Sequence, residues 1–476
     1  MRASKPERLA GALLAALWLG GCSLAPTYQH PQQDLPAHYD GSGHGTPAVA
    51  DGNDVVARDW WSAFGDRQLD ALQQQLLQAN PNLASAVAHY DAARAAAGEI
   101  SAARLPQLGL QANSLQNRQS EHKPLRSSSG NDYYGSDTVQ VSLGWDLDLW
   151  GKLRNQAHAA HAQAEASGDA LAAARLSLQR QLATTYLGLR GLDVRAGILQ
   201  GSLDDYRQAL EMTRNLFDGG LASELDVARA RHQLATASTE LDQTRADRDL
   251  AQHAIAALVG QPASSFKLEA NDGLRLIQPP LPAAVPSELL QRRPDIAAAE
   301  RRVYAANAGI GVARAAWFPS LSLSGSGGYQ DAGDGALLSR GNRFFALGPA
   351  LDLHLFDGGR RKAARAMAEA EFDAASADYR ASVLDAIREV EDQLSVLSRS
   401  ARQVRDEQEA VDAASRAQEI AQDRYQAGGA SYLEVVSAQN DARQAQLALQ
   451  ALLTRRLQAS AALMAALGGG WSTATE

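Results

Sequence analysis

Cysteine is almost missing from this sequence: there is one among 476 residues, at position 22. A single thiol excludes an intrachain disulfide and any metal site built from several thiolates. A basic excess is missing too. Fifty-four Asp and Glu stand against 45 Lys and Arg, for a net charge of −9, which is no footprint of a nucleic-acid binder. Methionine (4), phenylalanine (8) and proline (16) are few, and aromatic residues total 6%. With alanine abundant, that composition favours long helices meeting over small side chains. No stretch holds 18 consecutive apolar residues, so no transmembrane helix is expected. Gly-x-Ser-x-Gly, His-Glu-x-x-His and Walker patterns are absent, and Gly325-x-Gly327-Gly328 lacks the Lys-Ser/Thr of a phosphate loop. No enzyme activity, catalytic residue, cofactor or resident metal is expected.

What is present begins with an address. Arg2, Lys5 and Arg8 precede an apolar run of eleven residues, Leu9 to Leu19. The run is too short to span a bilayer and fits a secretory signal over 1–21. Leu19-Gly20-Gly21-Cys22 resembles a bacterial lipobox, in which the cysteine is acylated and becomes the first residue. Two or three acyl chains, at ~0.8 kcal/mol per buried methylene, anchor a protein stably. An ordinary cleaved signal with a chance cysteine is the alternative. Ser23 stands where Asp would mark inner-membrane retention, which points to the outer membrane. Residues 22–63 then read as an extended leader rich in Pro, Gly and polar residues.

Beyond the leader the chain repeats itself. Asn80-Pro81-Asn82-Leu83 returns as Arg293-Pro294-Asp295-Ile296, and Arg104-Leu105-Pro106 as Trp317-Phe318-Pro319, both offset by 213 positions. Leu147-Asp148-Leu149-Trp150 returns as Leu353-His354-Leu355-Phe356, offset by 206. The stretch from Phe217 to Val227 returns from Tyr425 to Val435, offset by 208. The same order with small drift marks a duplication. The copies span 64–270 and 285–470, joined by a Pro-rich linker at 271–284 and followed by a tail at 471–476.

Each copy mixes two periodicities. No proline lies between Pro124 and Pro262 or after Pro349, which frees 152–217 and 361–426 to be single helices, each roughly 100 Å long at 1.5 Å rise. Apolar residues three and four apart, such as Leu171, Leu178, Leu182, Tyr186 and Leu189, give them coiled-coil character. Returning helices are expected at 223–259 and 431–467, and earlier ones at 66–104 and 285–318. Strands are expected within 106–149 and 319–357. Val139, Val141, Leu143, Trp145, Leu147 and Leu149 alternate with Gln140, Ser142, Gly144, Asp146 and Asp148. Leu347, Pro349, Leu351, Leu353 and Leu355 alternate likewise with Gly348, Ala350, Asp352 and His354. A soluble half-buried hairpin shows the same alternation. The secretory signal and the aromatics at strand ends (Tyr133, Tyr134, Trp150, Phe344, Phe345, Phe356) favour strands with lipid on one face and water on the other. Four strands cannot close a membrane barrel, which needs about eight or more. The chain therefore shares one barrel with copies of itself.

A lipidated leader, two copies of helix–hairpin–long helix–turn–helix and four membrane strands resemble the outer-membrane factors of tripartite efflux systems. These are the TolC-like channels, and the lipoprotein branch of OprM and NodT type in particular. Cys22-Ser23-Leu24-Ala25-Pro26-Thr27-Tyr28-Gln29-His30-Pro31 looks like that branch's start. Tyr425-Gln426-Ala427-Gly428 with Tyr432-Leu433-Glu434-Val435-Val436 resembles its second-copy turn. The resemblance covers 23–470. It implies an α+β membrane protein: a homotrimer with a long α-helical coiled-coil tunnel in the periplasm and a shared transmembrane β-barrel, four strands per chain and 12 in a trimer. Its implied partners are a periplasmic adaptor (membrane fusion) protein, an inner-membrane pump of RND, MFS or ABC type, and outer-membrane lipid. The implied function is passive export of small molecules such as drugs. Type I protein secretion is an alternative within the class. A structural coiled-coil periplasmic lipoprotein that forms no channel is an alternative outside it.

The resemblance also implies a periplasmic gate at the turns Gly219-Gly220 and Gly428-Gly429. Asp226 and Glu434 would supply acidic groups and Leu433 an apolar constriction. Three copies of each carboxylate in a narrow mouth would favour cations. Ser437 departs from relatives that place a second Asp there, so a weaker acidic constriction is expected. Ala430 replaces a basic gate residue, which argues against a salt-bridge latch. Ser223-x-x-Asp226 and Ser431-x-x-Glu434 equally fit helix-starting capping boxes. Asp146, Asp148, Asp352 and His354 read as the wet face of the barrel, with a metal site as the sharper alternative. His158, His161 and Glu165 could place three metal ligands on one helix face, but they read as a solvated face.

Overall fold

The computed structural model describes residues 23–36, 39, 56–120, 122, 132–271, 277–280, 292–332 and 335–471. The signal sequence, Cys22 and most of the 271–284 linker lie outside them. Described residues within 1–32, 89–168 and 298–379 form one compact unit, and those within 33–88, 169–297 and 380–476 a second.

The elements follow the duplicated order. The first copy has α1 (Arg67–Ala79), α2 (Pro81–Ala102), β1 (Gln107–Arg118), β2 (Tyr133–Leu147), α3 (Lys152–Asp218) and α4 (Glu224–Leu258). The second has α5 (Pro294–Ala315), β3 (Ser320–Asp331), β4 (Arg343–Asp352), α6 (Arg360–Gln426) and α7 (Tyr432–Ala466). The expected single helix at 66–104 is two helices. Asn80 is extended (φ −71°, ψ 121°) because a residue before proline is driven out of the helical region. Its amide donates to the Leu258 carbonyl (2.7 Å) and its side-chain oxygen accepts from the Leu83 N–H (2.9 Å), capping α2. Pro81 and Pro294 each open their helix, where a missing N–H has no cost. The part of the 285–318 helix that precedes residue 292 lies outside the described residues.

In the first unit the four strands form one antiparallel sheet in the order β1-β2-β3-β4. The register sorts the residues onto two faces. One carries Leu147–Leu321–Leu351, then Trp145–Leu323–Pro349, Leu108–Leu143–Gly325–Leu347, Leu110–Val141–Gly327–Phe345 and Ala112–Val139–Tyr329–Arg343, where the band meets its first charge. Eight residue steps from Leu147 to Val139, at ~3.4 Å each, cover about 27 Å along the strand. That is close to the ~25 Å apolar band of outer-membrane barrels. These side chains stand open: Leu108 is 75% exposed, Leu347 68% and Phe345 89%. The other face is polar, with Gln111, Gln140, Ser142 and Ser326. The leader lies in the same unit. Ser23 Oγ donates to Asn155 (3.0 Å), and the Asn307 amide to the Pro26 carbonyl (3.0 Å). A Cβ on Gly311 would lie 2.7 Å from that of Ala25, so only glycine admits the leader there. Tyr28 meets Tyr304 edge-on at 5.1 Å, and burial pushes its hydroxyl pKa up to about 12.

The second unit holds the main core: Trp60, Trp61, Phe64, Leu69, Leu72, Leu76, Leu182, Leu187, Ile255 and Met464. Through it runs a buried polar chain. Tyr186 donates to Asp66 (2.5 Å), Arg190 to the Tyr186 oxygen (3.0 Å) and Asp193 (2.7 Å), and Arg248 to Asp193 (2.6 Å). Arg190 and Arg248 also donate to the carbonyls of Glu269 (2.9 Å) and Leu268 (2.6 Å), fastening the end of the first copy. Every charge in this cluster has a partner, the condition under which buried ions are tolerated.

Candidate functional site

Both turns between the long helices are closed by the same backbone chemistry. After α3, the Leu221 N–H reaches back to the Leu216 carbonyl (2.7 Å) and the Gly220 N–H to that of Phe217 (2.9 Å). After α6, Gly429 reaches Arg424 (2.7 Å) and Gly428 reaches Tyr425 (3.0 Å). This is the Schellman pattern, which needs one left-handed residue. Gly220 (φ +73°) and Gly428 (φ +72°) supply it. Gly219 and Gly429 do not adopt that conformation, so the two Gly-Gly pairs are out of step and share one required glycine per turn.

The next helices start with complete capping boxes. The Ser223 hydroxyl accepts from the Asp226 N–H (3.2 Å), and Asp226 accepts from the Ser223 N–H (3.2 Å) and hydroxyl (2.7 Å). Ser431 and Glu434 repeat the arrangement at 3.4, 3.2 and 3.2 Å. The Ser431 N–H and hydroxyl hold the Glu434 carboxyl below its ordinary pKa, with help from Arg424, whose guanidinium lies 3.9 Å away. Arg424 also donates to the Gly429 carbonyl (2.9 Å). Although Ala430 offers no basic group, this turn therefore has a cation beside its acid, contributed by the end of α6. Sequence reasoning passed over Arg424; its signal was a basic residue in the last helical turn before a glycine. Asp226 has Arg229 at 3.9 Å. Leu433 is 51% exposed, and Ser437 is exposed too.

The two tips are fastened through one residue. Tyr432, the first residue of α7, is 4% exposed and clusters with Leu210, Val227 and Ala230 of the first copy. Its ring lies 5.7 Å from that of Tyr425. Burial raises its hydroxyl pKa to about 12, partly offset by a bond with Thr213. Below it, Arg443 pairs with Glu240, and the side chains of Gln233 and Asn440 bond to each other, joining α4 to α7. Tyr432 was also missed, because an aromatic at a helix start carries no distinctive sequence signal.

In the first unit, Asp146 pairs with Ser322 and Asp352 with Ser320, which places both carboxylates on the polar face at the helix end of the sheet. Two residues of the expected wet face require correction. β2 ends at Leu147, so Asp148 is no strand residue; it accepts from the Leu153 (3.0 Å) and Arg154 (2.7 Å) N–H groups and caps the start of α3. β4 ends at Asp352, so His354 lies beyond it, with Nδ1 3.6 Å from the Asp352 carboxylate. All four nonetheless line one cavity of about 300 Å³ that also receives Lys152, Arg360 and Arg361. Of the helix-face trio, His161 meets Ser101 (3.0 Å) and Glu165 meets Arg301 (3.2 Å). Among the described residues no group of three or more His, Cys, Asp or Glu could hold a metal.

A family model described as outer membrane efflux protein matches residues 72–261 and 285–469. Outer membrane protein OprJ of Pseudomonas aeruginosa is 34% identical over 472 residues, 98% of this chain and 97% of that protein. Toluene efflux pump outer membrane protein TtgI of Pseudomonas putida is 31% identical over 470 residues, 97% of this chain and 98% of that protein. The solved structure of the outer-membrane channel OprN matches with a TM-score of 0.86 at 30% identity, covering 94% of this chain and 100% of that one.

Proposed function

The chain belongs to the outer membrane efflux protein family, and from that premise we propose how it works as the outer-membrane channel of a tripartite efflux pump. It is a transport protein of the outer membrane, trimeric, working with an adaptor and an inner-membrane pump. The observation that carries the reading is the sheet: one face exposes an apolar band, and β1 and β4 are edges with no strand partner among the described residues. Pairing β4 of one copy with β1 of the next satisfies both edges and closes the barrel. Conductance from detergent-purified protein in planar bilayers, with a heat-labile SDS-resistant trimer, is expected. A water-soluble monomer after Cys22→Ala, with no conductance, overturns the reading.

Four finer assignments are ours. Cys22 carries the acyl anchor, supported by the docking of Ser23 on Asn155 beside the sheet. The cargo is small molecules, a reading supported by the name of the relative TtgI, and the pump is of RND, MFS or ABC type. Loss of an exoprotein with unchanged drug sensitivity in a deletion strain would reverse the cargo assignment. Asp146 and Asp352 face the lumen. The tips form the gate: Asp226 and Glu434 supply acid, Leu433 an exposed apolar side chain, and Ser437 a neutral position. Both carboxylates already cap helices, so charge and cap must be separated. Asp226→Asn with Glu434→Gln keeps oxygen acceptors in the capping boxes and removes the charge. We expect reduced cation selectivity with near-normal stability. Unchanged reversal potentials would leave the carboxylates only as caps.

A further inference from the structure

The polar face of the sheet is graded along its length. Nearest the helices it carries Asp146 and Asp352. Next come two rows in which small residues predominate, Gln107–Gly144–Ser324–Gly348 and Gly109–Ser142–Ser326–Ala346. One row further, the lining changes to Gln111–Gln140–Gly328–Phe344, followed by Asn113–Thr138–Gln330. From Gln107 towards the loops, no strand residue on this face is charged. The face is concave there, with a hollow of roughly 760 Å³ lined by Gln111, Asn113, Thr138, Gln140, Gln330 and Phe344.

We propose that this hollow is a cargo-contact site for flat aromatic molecules, with Phe344 as the stacking surface and the Gln111–Gln140 pair as the hydrogen-bonding wall. The inference rests on the efflux-channel reading and adds a substrate-selecting residue to it. Gln140 donates to Gln111 (2.8 Å), leaving the Gln140 carbonyl and the Gln111 amino group without a protein partner among the described residues. Gly328 stands between the wall and the ring. A Cβ there would lie 2.0 Å from the Val139 carbonyl oxygen and 2.7 Å from the Gln140 Cα, so no side chain fits at this position between them. Two strand spacings, about 9.6 Å, separate Gln140 from Phe344, room for one ring system lying against the phenyl face.

Two features set Phe344 apart from a membrane-girdle aromatic. Phe345, its neighbour, takes the lipid side in a row with Leu110 and Val141 and is 89% exposed, whereas Phe344 is half-buried on the opposite face. The strand is also fixed just ahead of it. The Asn342 amide donates to Asp331 (3.1 Å) and to the carbonyls of Ala336 (3.2 Å) and Leu337 (3.3 Å), tying down the loop that leads into β4. A ring held in place gains more from stacking than a free one, because less freedom is lost on contact. An uncharged wall admits neutral and cationic aromatics alike, and the ring's π face attracts cations.

The test is current block in planar bilayers by ethidium, a flat aromatic cation, compared with tetrabutylammonium, which has no ring. Phe344→Ala should conduct and release ethidium about tenfold faster, with tetrabutylammonium events unchanged. Phe345→Ala, one residue away on the other face, should match the parent protein. Gln140→Ala should shorten ethidium events less than Phe344→Ala. Ethidium residence unchanged by Phe344→Ala, or shortened equally by Phe345→Ala, overturns the assignment. Equal shortening of tetrabutylammonium events overturns it too, since the effect would then be width and not stacking. A parent protein that conducts nothing defeats the channel reading itself, a distinct failure.

Discussion

The two gate tips share a backbone and differ in what they rest on. Residues 217–227 and 425–435 fold through the same left-handed glycine, the same reach-back hydrogen bonds and the same capping box. Yet the first helical residue is exposed Glu224 in one tip and buried Tyr432 in the other. The tip of the first copy thus provides a socket of Leu210, Val227 and Ala230, and the tip of the second inserts a ring into it. Duplication preserved the local chemistry that turns the chain. Packing then gave the halves different tasks, one as support and one as plug. The charges differ as well: Glu434 is flanked by Arg424 from the preceding helix, Asp226 by Arg229 from its own.

That comparison is most directly broken at Tyr432. Tyr432→Ala should destabilise the second tip by about 3 kcal/mol, the usual loss for emptying a buried aromatic site, and Glu224→Ala by less than about 0.5 kcal/mol. Hydrogen exchange at the first turns of α4 and α7 reads both, and equal losses would refute the plug-and-socket asymmetry. The glycines sharpen the shared half of the comparison. Gly220→Ala and Gly428→Ala should each cost about 1–2 kcal/mol, because both force a Cβ into the left-handed region. Gly219→Ala and Gly429→Ala should be nearly silent, having ordinary φ and only normal contacts around an added Cβ. The smallest effect is on acidity. The Glu434 pKa is depressed in the fold, so its contribution is complete above the unfolded carboxylate pKa and disappears as pH falls through the lower folded value. Exchange protection of the Leu433–Val435 amides should therefore drop at acid pH, and Glu434→Gln should flatten that dependence.

Much of this architecture was legible as pattern. The long helices of 67 residues appear where proline is absent, and the strands where apolar and polar residues alternate. The Ser-x-x-Asp and Ser-x-x-Glu spacings announced their capping boxes, because capping is local and depends on three-residue separation. Features that depend on an endpoint or on a distant partner were not legible. Asp148 continues the alternation of β2 in sequence, but it lies past the last strand residue, where its carboxylate meets the open N–H groups of α3. His354 fails for the same reason beyond β4. The break at Asn80 was visible as Asn-Pro, yet the helical pattern on both sides concealed it.

Sequence alone determined the duplication, which shows as a repeat along the chain, and the two periodicities, the turn glycines and the caps, which are set by neighbours a few residues apart. The tertiary structure decided three other things: that Tyr432 fills a socket in the first copy, that Arg424 stands beside Glu434, and that Phe344 and Phe345 part to opposite faces at a particular row. Tyr432 and its socket come from different copies, Arg424 and Glu434 from two helices joined by a turn, and the parting of the two phenylalanines from strand register. Short-range pattern does not encode such distances, because a shift of one residue in a strand exchanges its faces without changing its composition.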